Sequence, residues 1–304
     1  MISRHPSPLR YPGGKTSLTS FLTEVIRING LDGGVYIEPY AGGAGAALKL
    51  LFNEQVSEIY INDLDRRIYS FWRALLYHTD EFTKLIRNTP VSVRQWKRQK
   101  RIFENPNQHS ILEVGFATFY LNRCNHSGVL NGGPIGGIDQ SGDYKIDVRF
   151  NKKELQKRIE KIVLYRDRIT VKNLDGIDFL KWVSAKRGLE PDTCLVYMDP
   201  PYFEKASRLY DIYFHDSDHQ KLAGYLNRHH PFRWIVSYDD AALIRNLYKD
   251  RLNVLFVKYS VHTVRLGREL IISSANCQLP QDLLGIQVGK AADPMMISEM
   301  REAA

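Results

Sequence analysis

The hydrophobic pattern divides the chain into short apolar strands that alternate with helices, interrupted by one long helical stretch. Runs of β-forming residues predict strands at 35–38, 58–62, 169–172, 194–198, 233–237, 254–259 and 269–274. Helical periodicity flanks them at 16–28, 46–52, 215–228 and 240–247. Between residues 64 and 168 the strand rhythm is lost, and helices are predicted at 66–77, 81–87, 93–103 and 111–123.

This alternation predicts an α/β fold with a mostly helical insertion. We expect a discontinuous sheet domain at 1–63 and 166–277, a helical insertion at 64–165 and a C-terminal tail at 278–304. A chain of 304 residues is long enough for both units.

Composition indicates the net charge of the protein and its expected cellular compartment. With 42 Lys and Arg against 34 Asp and Glu, the net charge of +8 favours a polyanionic partner. No apolar run reaches signal-peptide or membrane-span length, so we expect a soluble, cytoplasmic protein that binds no membrane. The three cysteines are widely spaced and offer neither a disulfide framework nor a CxxC metal site.

The strand predicted at 194–198 is followed by Asp199, Pro200, Pro201 and Tyr202, at the edge of the sheet where α/β proteins bind ligands. Each proline fixes its φ and lacks an N–H, so the turn is stiff and presents only acceptors. Such a corner suits the exocyclic amino group of adenine or cytosine. Two acceptors localise the nitrogen lone pair for attack on a methyl sulfonium, and Tyr202 offers a face for stacking. The alternative is a tight turn with a core tyrosine.

A glycine-rich turn follows the first predicted strand, which ends at Glu38. Strand, glycine turn and helix together are typical of a nucleotide-binding β-α unit. Leu48 takes the place of the third glycine of the dinucleotide fingerprint, and neither it nor Glu38 suits a pyrophosphate. The candidate ligand-binding residues of this turn are Glu38, Tyr40, Gly42, Gly43 and Gly45.

Further acidic residues lie near strand ends. Asp63 follows the second strand and is placed to bind both ribose hydroxyls of an adenosyl ligand; it or Asp65 is equally a candidate N-cap. After strand 169–172, Asp178 and Phe179 are candidates for binding the amino group and face of an adenine, and Asp175 or Asp178 is alternatively an N-cap.

Two basic segments flank a polar, glycine-rich loop at 124–137. Segment 84–105 holds seven basic residues and one acid, and segment 149–168 holds eight basic residues and three acids. Either alone is typical of a solvated helix face, whereas together they indicate a phosphate-backbone footprint. The loop is a candidate base-reading element or a disordered connector. His126 has no second residue at ligand spacing, so we expect no metal. The predicted DNA-contacting residues are Arg94, Lys97, Arg98, Arg123, Asn125, His126, Ser127 and Asn131.

With these motifs in this order, the sequence resembles the Dam-like, D12 class DNA N6-adenine methyltransferases over residues 9–275. The motifs that carry the resemblance are 10–15 (RYPGGK), 38–45 (EPYAGGAG), 62–63 (ND), 199–202 (DPPY) and 267–273 (GRELIIS). The resemblance implies a Rossmann-like S-adenosylmethionine-dependent methyltransferase fold. It also implies cofactor contacts from Tyr11, Lys15, Asp63 and Asp199, and from Asp178 and Phe179.

The resulting hypothesis is methyl transfer to N6 of an adenine flipped out of double-stranded DNA. Residues 125–130 (NHSGVL) differ from the reading stretch of members that recognise GATC, so we do not predict that site. The rivals are N4-cytosine methylation, against which Asp199 argues, RNA methylation, and a DNA-binding regulator that has lost transfer. We expect a monomer, with a cognate restriction endonuclease as a further candidate partner.

Overall fold

A computed structural model of the protein describes residues 6–10, 18–201, 214–228, 231–249, 252–261, 263–280, 282–283 and 286–290. These residues form ten α-helices and nine strands. The helices are α1 (Thr19–Ile28), α2 (Gly45–Phe52), α3 (Arg66–Tyr77), α4 (Thr79–Asn88), α5 (Val93–Glu104), α6 (Ile111–Cys124), α7 (Lys152–Val163), α8 (Gly176–Ser184), α9 (Asp216–Asn227) and α10 (Ala242–Leu247). The strands are β1 (Val35–Glu38), β2 (Glu58–Asn62), β3 (Ile169–Lys172), β4 (Cys194–Met198), β5 (Arg233–Asp239), β6 (Leu252–Val261), β7 (Thr263–Ser273), β8 (Asp282–Leu283) and β9 (Ile286–Lys290).

The strands form one sheet in the order β3-β2-β1-β4-β5-β7-β6-β9-β8. Strands β3, β2, β1, β4 and β5 are parallel, and β7 pairs with β5 in the antiparallel direction. The chain builds outward from β1 in one direction and from β4 in the other, so a switch point lies between these two strands. Ligands bind beside such points in open α/β sheets. The predicted α/β, Rossmann-like fold class is confirmed.

Strand β4 is buried along its whole length, as its continuous apolar run predicts. Leu195 and Tyr197 face a hydrophobic cluster that includes α1, α2 and the inserted helices. Val196 and Met198 face a second cluster with α8, α9 and α10. The central strands are therefore covered on both faces, which fixes the carboxyl ends of β1 and β4 in place.

The helices α3 to α7 lie in the connection between β2 and β3. Their buried aromatic side chains Phe71, Phe82 and Phe119 belong to the same hydrophobic cluster as the β4 side chain Leu195. The helical insertion thus shares its core with the sheet instead of forming one of its own.

Two parts of the fold lie outside the sequence predictions. Helix α7 was not predicted, although Leu155, Ile159 and Ile162 recur at helical spacing and are buried. Strand β9, within the expected tail, pairs with β6 and extends the sheet. In the described part of the chain, no helix has the length and apolar character needed to cross a membrane.

Candidate active site

Three carboxyl groups meet at the carboxyl edge of the sheet, beside the switch point. Glu38 ends β1, Asp63 follows β2, and Asp199 follows β4. Ile37 pairs with Val196 and Glu38 pairs with Ile61, so the three acids share one face of neighbouring strands. Burial raises the pKa of Glu38 well above its ordinary value, and the nearby Asp199 and Asp63 raise it further.

Glu38 is the most deeply placed of these acids. Its side chain is 4% exposed, and within the described residues its Oε2 atom has no hydrogen-bond partner. The hydroxyl group of Tyr36, two residues earlier on the same face, is also buried without a partner there. Buried polar atoms without partners are uncommon in folded proteins, and at a sheet edge they indicate a place for a ligand.

The glycine turn is held to β2 by the carboxyl group of Asp63. The Gly42 amide donates to Asp63 Oδ2 at 3.0 Å, and the Trp72 indole N–H donates to the Gly42 carbonyl at 2.9 Å. Gly42 has φ of +46°, a conformation that glycine adopts readily. Gly43 follows in the turn, and Gly45 begins α2.

Asp63 and Asp65 have separate roles. Asp65 caps α3 by accepting a hydrogen bond from the Arg67 amide at 2.8 Å, so it is the N-cap that the sequence left undecided. Asp63 Oδ1 accepts from the Asp65 amide at 2.9 Å. Burial, followed by the charge of Asp65, raises the pKa of Asp63 to about 7. A perturbed carboxyl group bonded to a glycine turn is typical of a ligand site.

Asp199 is oriented by a hydroxyl group from the neighbouring strand. Ser237 on β5 donates to Asp199 Oδ1 at 3.1 Å, and the Tyr197 hydroxyl lies 2.8 Å from Ser237 Oγ. Pro200 is buried and Pro201 is partly buried. The sequence analysis did not identify Ser237 as a site residue, because nothing in the hydrophobic pattern of β5 distinguishes it. The predicted site residues Tyr11, Lys15 and Tyr202 lie outside the described residues.

The start of α8 shows which of two acids is its N-cap. Asp175 is its N-cap and accepts from the Ile177 amide at 2.9 Å, while Asp178 is exposed and pairs with Lys181 at 2.9 Å. Phe179 is fully buried in the core and stacks on Trp182 with ring centroids 6.0 Å apart. Its ring therefore belongs to the hydrophobic core, and a contact with the cofactor stays a prediction.

Tyr40 links the glycine turn to α8. A Cβ atom added to Gly176 would lie 2.4 Å from the Tyr40 hydroxyl oxygen, so only glycine allows this contact. Tyr40 also meets Phe214 edge to face, with ring centroids 5.7 Å apart. The Tyr40 side chain is thus fixed between the glycine turn and the start of α8.

The loop predicted to read DNA is organised from within by Asn125. Asn125 Oδ1 accepts from the Trp96 indole at 2.7 Å, and its amide donates to the carbonyls of Val129 and Leu130 at 2.8 and 2.9 Å. The side chain is fully buried. The prediction that Asn125 contacts DNA is therefore wrong for this conformation, because its polar atoms already bind the loop.

The Arg123 side chain likewise forms hydrogen bonds within the protein. Its guanidinium donates to the Arg149 carbonyl at 2.8 Å through Nε and to the Pro8 carbonyl at 3.5 Å through Nη1. Burial, together with Arg10 and other arginines nearby, lowers its pKa to about 9. Arg123 thus fastens chain segments together instead of presenting its charge to DNA, whereas His126, Ser127 and Asn131 of the loop are exposed.

Asn122 on α6 is a structural residue that the sequence analysis did not identify. It accepts from the Arg10 amide at 2.6 Å and donates to the carbonyls of Arg10 and Gly128 at 2.9 Å each. The signal was the one side-chain amide on a mostly apolar helix. Asn122 joins the segment that precedes residues 11–15 to the loop at 124–137.

Helix α5 presents an exposed basic face. Arg94, Lys97 and Arg98 are exposed as predicted, and Arg101 extends their row by one turn. The opposite face buries Trp96 and Phe103. Because Trp96 also binds Asn125, α5 packs against the loop through the face opposite the basic one.

The comparison with protein families decides between the functions that the sequence analysis left open. Residues 11–265 match the model of the D12 class N6 adenine-specific DNA methyltransferases. The chain belongs to this family. The predicted enzyme class, an adenine-specific DNA methyltransferase, is confirmed, and the family generally uses S-adenosylmethionine.

Other comparisons add less to the D12 class assignment. No curated protein sequence matches the chain. A solved structure, the rRNA methyltransferase aviRa from Streptomyces viridochromogenes, aligns with a TM-score of 0.36 and 13% identity, covering 88% of this chain and 86% of its own.

Proposed function

We propose that this methyltransferase binds S-adenosylmethionine against Glu38, Asp63 and the glycine turn, and holds a flipped target adenine at Asp199 and Pro200. The observation that carries the proposal is the meeting of three carboxyl groups at the switch point, with an unpartnered oxygen on Glu38. Acidic groups crowded in this way favour a cationic ligand, because its charge relieves their mutual repulsion.

The residues present fit the cofactor. Asp63 has lone pairs left to accept ribose hydroxyl groups, and Glu38 Oε2 is free to accept from a donor. Tyr40, Gly43 and Gly45 lie in the same turn, and Tyr11 and Lys15 are carried over from the family motif. When bound, S-adenosylmethionine supplies an electrophilic methyl group.

Asp199 and the Pro200 carbonyl would accept the two N–H bonds of the adenine amino group. This arrangement draws the nitrogen lone pair out of conjugation with the ring and directs it to the methyl group. Tyr202 would stack on the flipped base. Most of the acceleration then comes from positioning and from the exclusion of water.

The basic face of α5 and the exposed loop residues are the proposed contacts to double-stranded DNA. Arg94, Lys97, Arg98 and Arg101 suit phosphates, and His126, Ser127 and Asn131 suit bases or phosphates. A monomeric state, a cytoplasmic location and a partner endonuclease stay predictions.

Replacement of Asp199 tests the proposal directly. Asp199→Ala is expected to lower methyl transfer to DNA by at least about 1,000-fold, because one of the two acceptors for the amine is lost. DNA binding should stay within about 2-fold of wild type, since the variant leaves the basic face intact. The control is Asp192→Ala, at an exposed acid before β4. An Asp199→Ala enzyme that still transfers at the wild-type rate would disprove the role of Asp199.

Methylation mapping of plasmid DNA from expressing cells would identify both the modified base and the recognised sequence. N6-methyladenine at one short motif is the expected result. Random modification would contradict a site-specific reading loop.

A further inference from the structure

Two buried hydroxyl groups stand directly behind the Asp199 carboxylate. Tyr197 and Ser237 are both fully buried. Tyr197 pairs with Ile235 and Met198 with Val236 across the parallel strands β4 and β5, so the next residue along β4, Asp199, lies beside Ser237. The register of two central strands therefore brings these groups together.

The direction of this hydrogen-bond chain follows from the number of protons available. An ionised Asp199 is only an acceptor, so Ser237 donates its single proton to Oδ1 over 3.1 Å. Ser237 then has only lone pairs to offer Tyr197, which must donate over the 2.8 Å contact. The chain runs from Tyr197 through Ser237 to Asp199.

The hydrogen-bond chain begins in the hydrophobic core. Tyr197 packs in the hydrophobic cluster that includes Leu195 and Ile235. Ser237 lies on a strand that is paired on both sides, with β4 and with β7. Donors held this rigidly are suited to fixing the orientation of a carboxylate.

We propose that Ser237 and Tyr197 are positioning residues for methyl transfer, which hold Asp199 Oδ1 so that Oδ2 faces the adenine amino group. The terminal torsion of an aspartate is broad, so a fixed donor to Oδ1 narrows the range of orientations that the carboxylate adopts. This inference rests on the proposed role of Asp199.

Ser237→Ala is the primary test, with steady-state kinetics on DNA as the readout. We expect kcat to fall at least about 10-fold, as for loss of a hydrogen bond to a charged group, while KM for DNA and for S-adenosylmethionine stays within about 2-fold. Ser237→Thr keeps the hydroxyl and should recover most of the rate. Tyr197→Phe should lower kcat less than Ser237→Ala does.

A double-mutant cycle separates positioning from general destabilisation. If Tyr197 acts through this hydrogen-bond chain, Tyr197→Phe does not lower kcat further in the Ser237→Ala background, because its effect passes through Ser237. Losses that simply multiply would overturn the proposal, as would wild-type kcat in folded Ser237→Ala.

Matched controls test the same chemistry away from Asp199. Ser274→Ala removes a buried hydroxyl that accepts from the Trp234 amide at 3.1 Å, and Tyr120→Phe removes a hydroxyl bound to the Pro90 carbonyl at 3.1 Å. Both should keep kcat within about 2-fold. If Asp199→Ala abolishes transfer while Ser237→Ala does not affect it, only the positioning inference fails. If Asp199→Ala itself retains transfer, the proposed function fails first.

Discussion

Asp63 joins the glycine turn to the rest of the site through one carboxyl group, and the charge of that group changes near neutral pH. Its pKa is raised from 3.8 to about 7, chiefly by burial. An acid with a raised pKa opposes folding once ionised, so this penalty is absent below the unfolded pKa and grows as the pH rises toward 7. The same ionisation makes the group a better acceptor for ribose hydroxyls.

We therefore expect cofactor affinity to rise with pH. Between pH 5.5 and 7.5, the affinity of the wild-type enzyme for S-adenosylmethionine should increase about 10-fold, as the Asp63 carboxyl group loses its proton. Isothermal titration calorimetry would measure this. Asp63→Ala should bind more weakly and with a flatter pH profile, and Asp192→Ala should retain the wild-type profile. An affinity of the wild type that does not change over this range would contradict the prediction.

Asn125 provides a second residue-scale prediction. Asn125→Ala removes three hydrogen bonds from a buried site and leaves the Trp96 indole unpaired, so the free energy of unfolding should fall by about 2–4 kcal/mol. The control His126→Ala, at an exposed position of the same loop, should change it by less than about 0.5 kcal/mol. Urea denaturation measures both. Unchanged stability combined with lost DNA affinity would restore the reading role to Asn125.

At the scale of elements, sequence patterns located the parallel strands well because each is a short apolar run with polar ends. The predicted bounds of β1, β2, β3 and β4 match the structure, and β5 runs two residues further. The pattern could not assign individual polar residues. Asn125 depends on Trp96 and Asp199 on Ser237, and these partners meet only through helix packing and strand register.

Helix α5 makes the DNA interface testable as an element. Lys97→Ala with Arg101→Ala removes two exposed charges one turn apart on the basic face of α5. If both contact phosphates, the slope of log affinity against log salt concentration should decrease by about 2. The control is Lys181→Ala with Arg187→Ala, two exposed charges at and just beyond the C-terminal end of α8 and outside both basic segments, where we expect a change below about 1. Equal effects of the two pairs would mean that the charge of the whole protein, and not α5, attracts DNA.

Across the whole molecule, charges of opposite sign are separated by function. The chain carries a net charge of +8, yet the carboxyl groups clustered at the carboxyl edge of its sheet are acidic and close together. In the proposed function, a basic outer face attracts the polyanionic substrate, while the inner acids favour the cationic methyl donor.

The molecule also shares one hydrophobic cluster between the sheet and the inserted helices, which makes their folding interdependent. Phe82 on α4 contacts Phe116 and Phe119 with ring centroids 6.0 and 5.5 Å apart, and it belongs to the same cluster as Leu195 on β4. Removal of a buried phenylalanine ring typically costs about 3–5 kcal/mol. Because the core is shared, this loss of stability affects both the sheet and the inserted helices.

Calorimetry should show this coupling. Phe82→Ala in the insertion and Leu195→Ala in the sheet should each shift one common unfolding transition to lower temperature, because neither part can lose its packing alone. The ratio of calorimetric to van't Hoff enthalpy should stay near 1 in both variants. If Phe82→Ala instead moves one of two separate transitions and leaves the other at the wild-type temperature, the insertion folds as an independent unit, and the shared cluster does not couple it to the catalytic sheet.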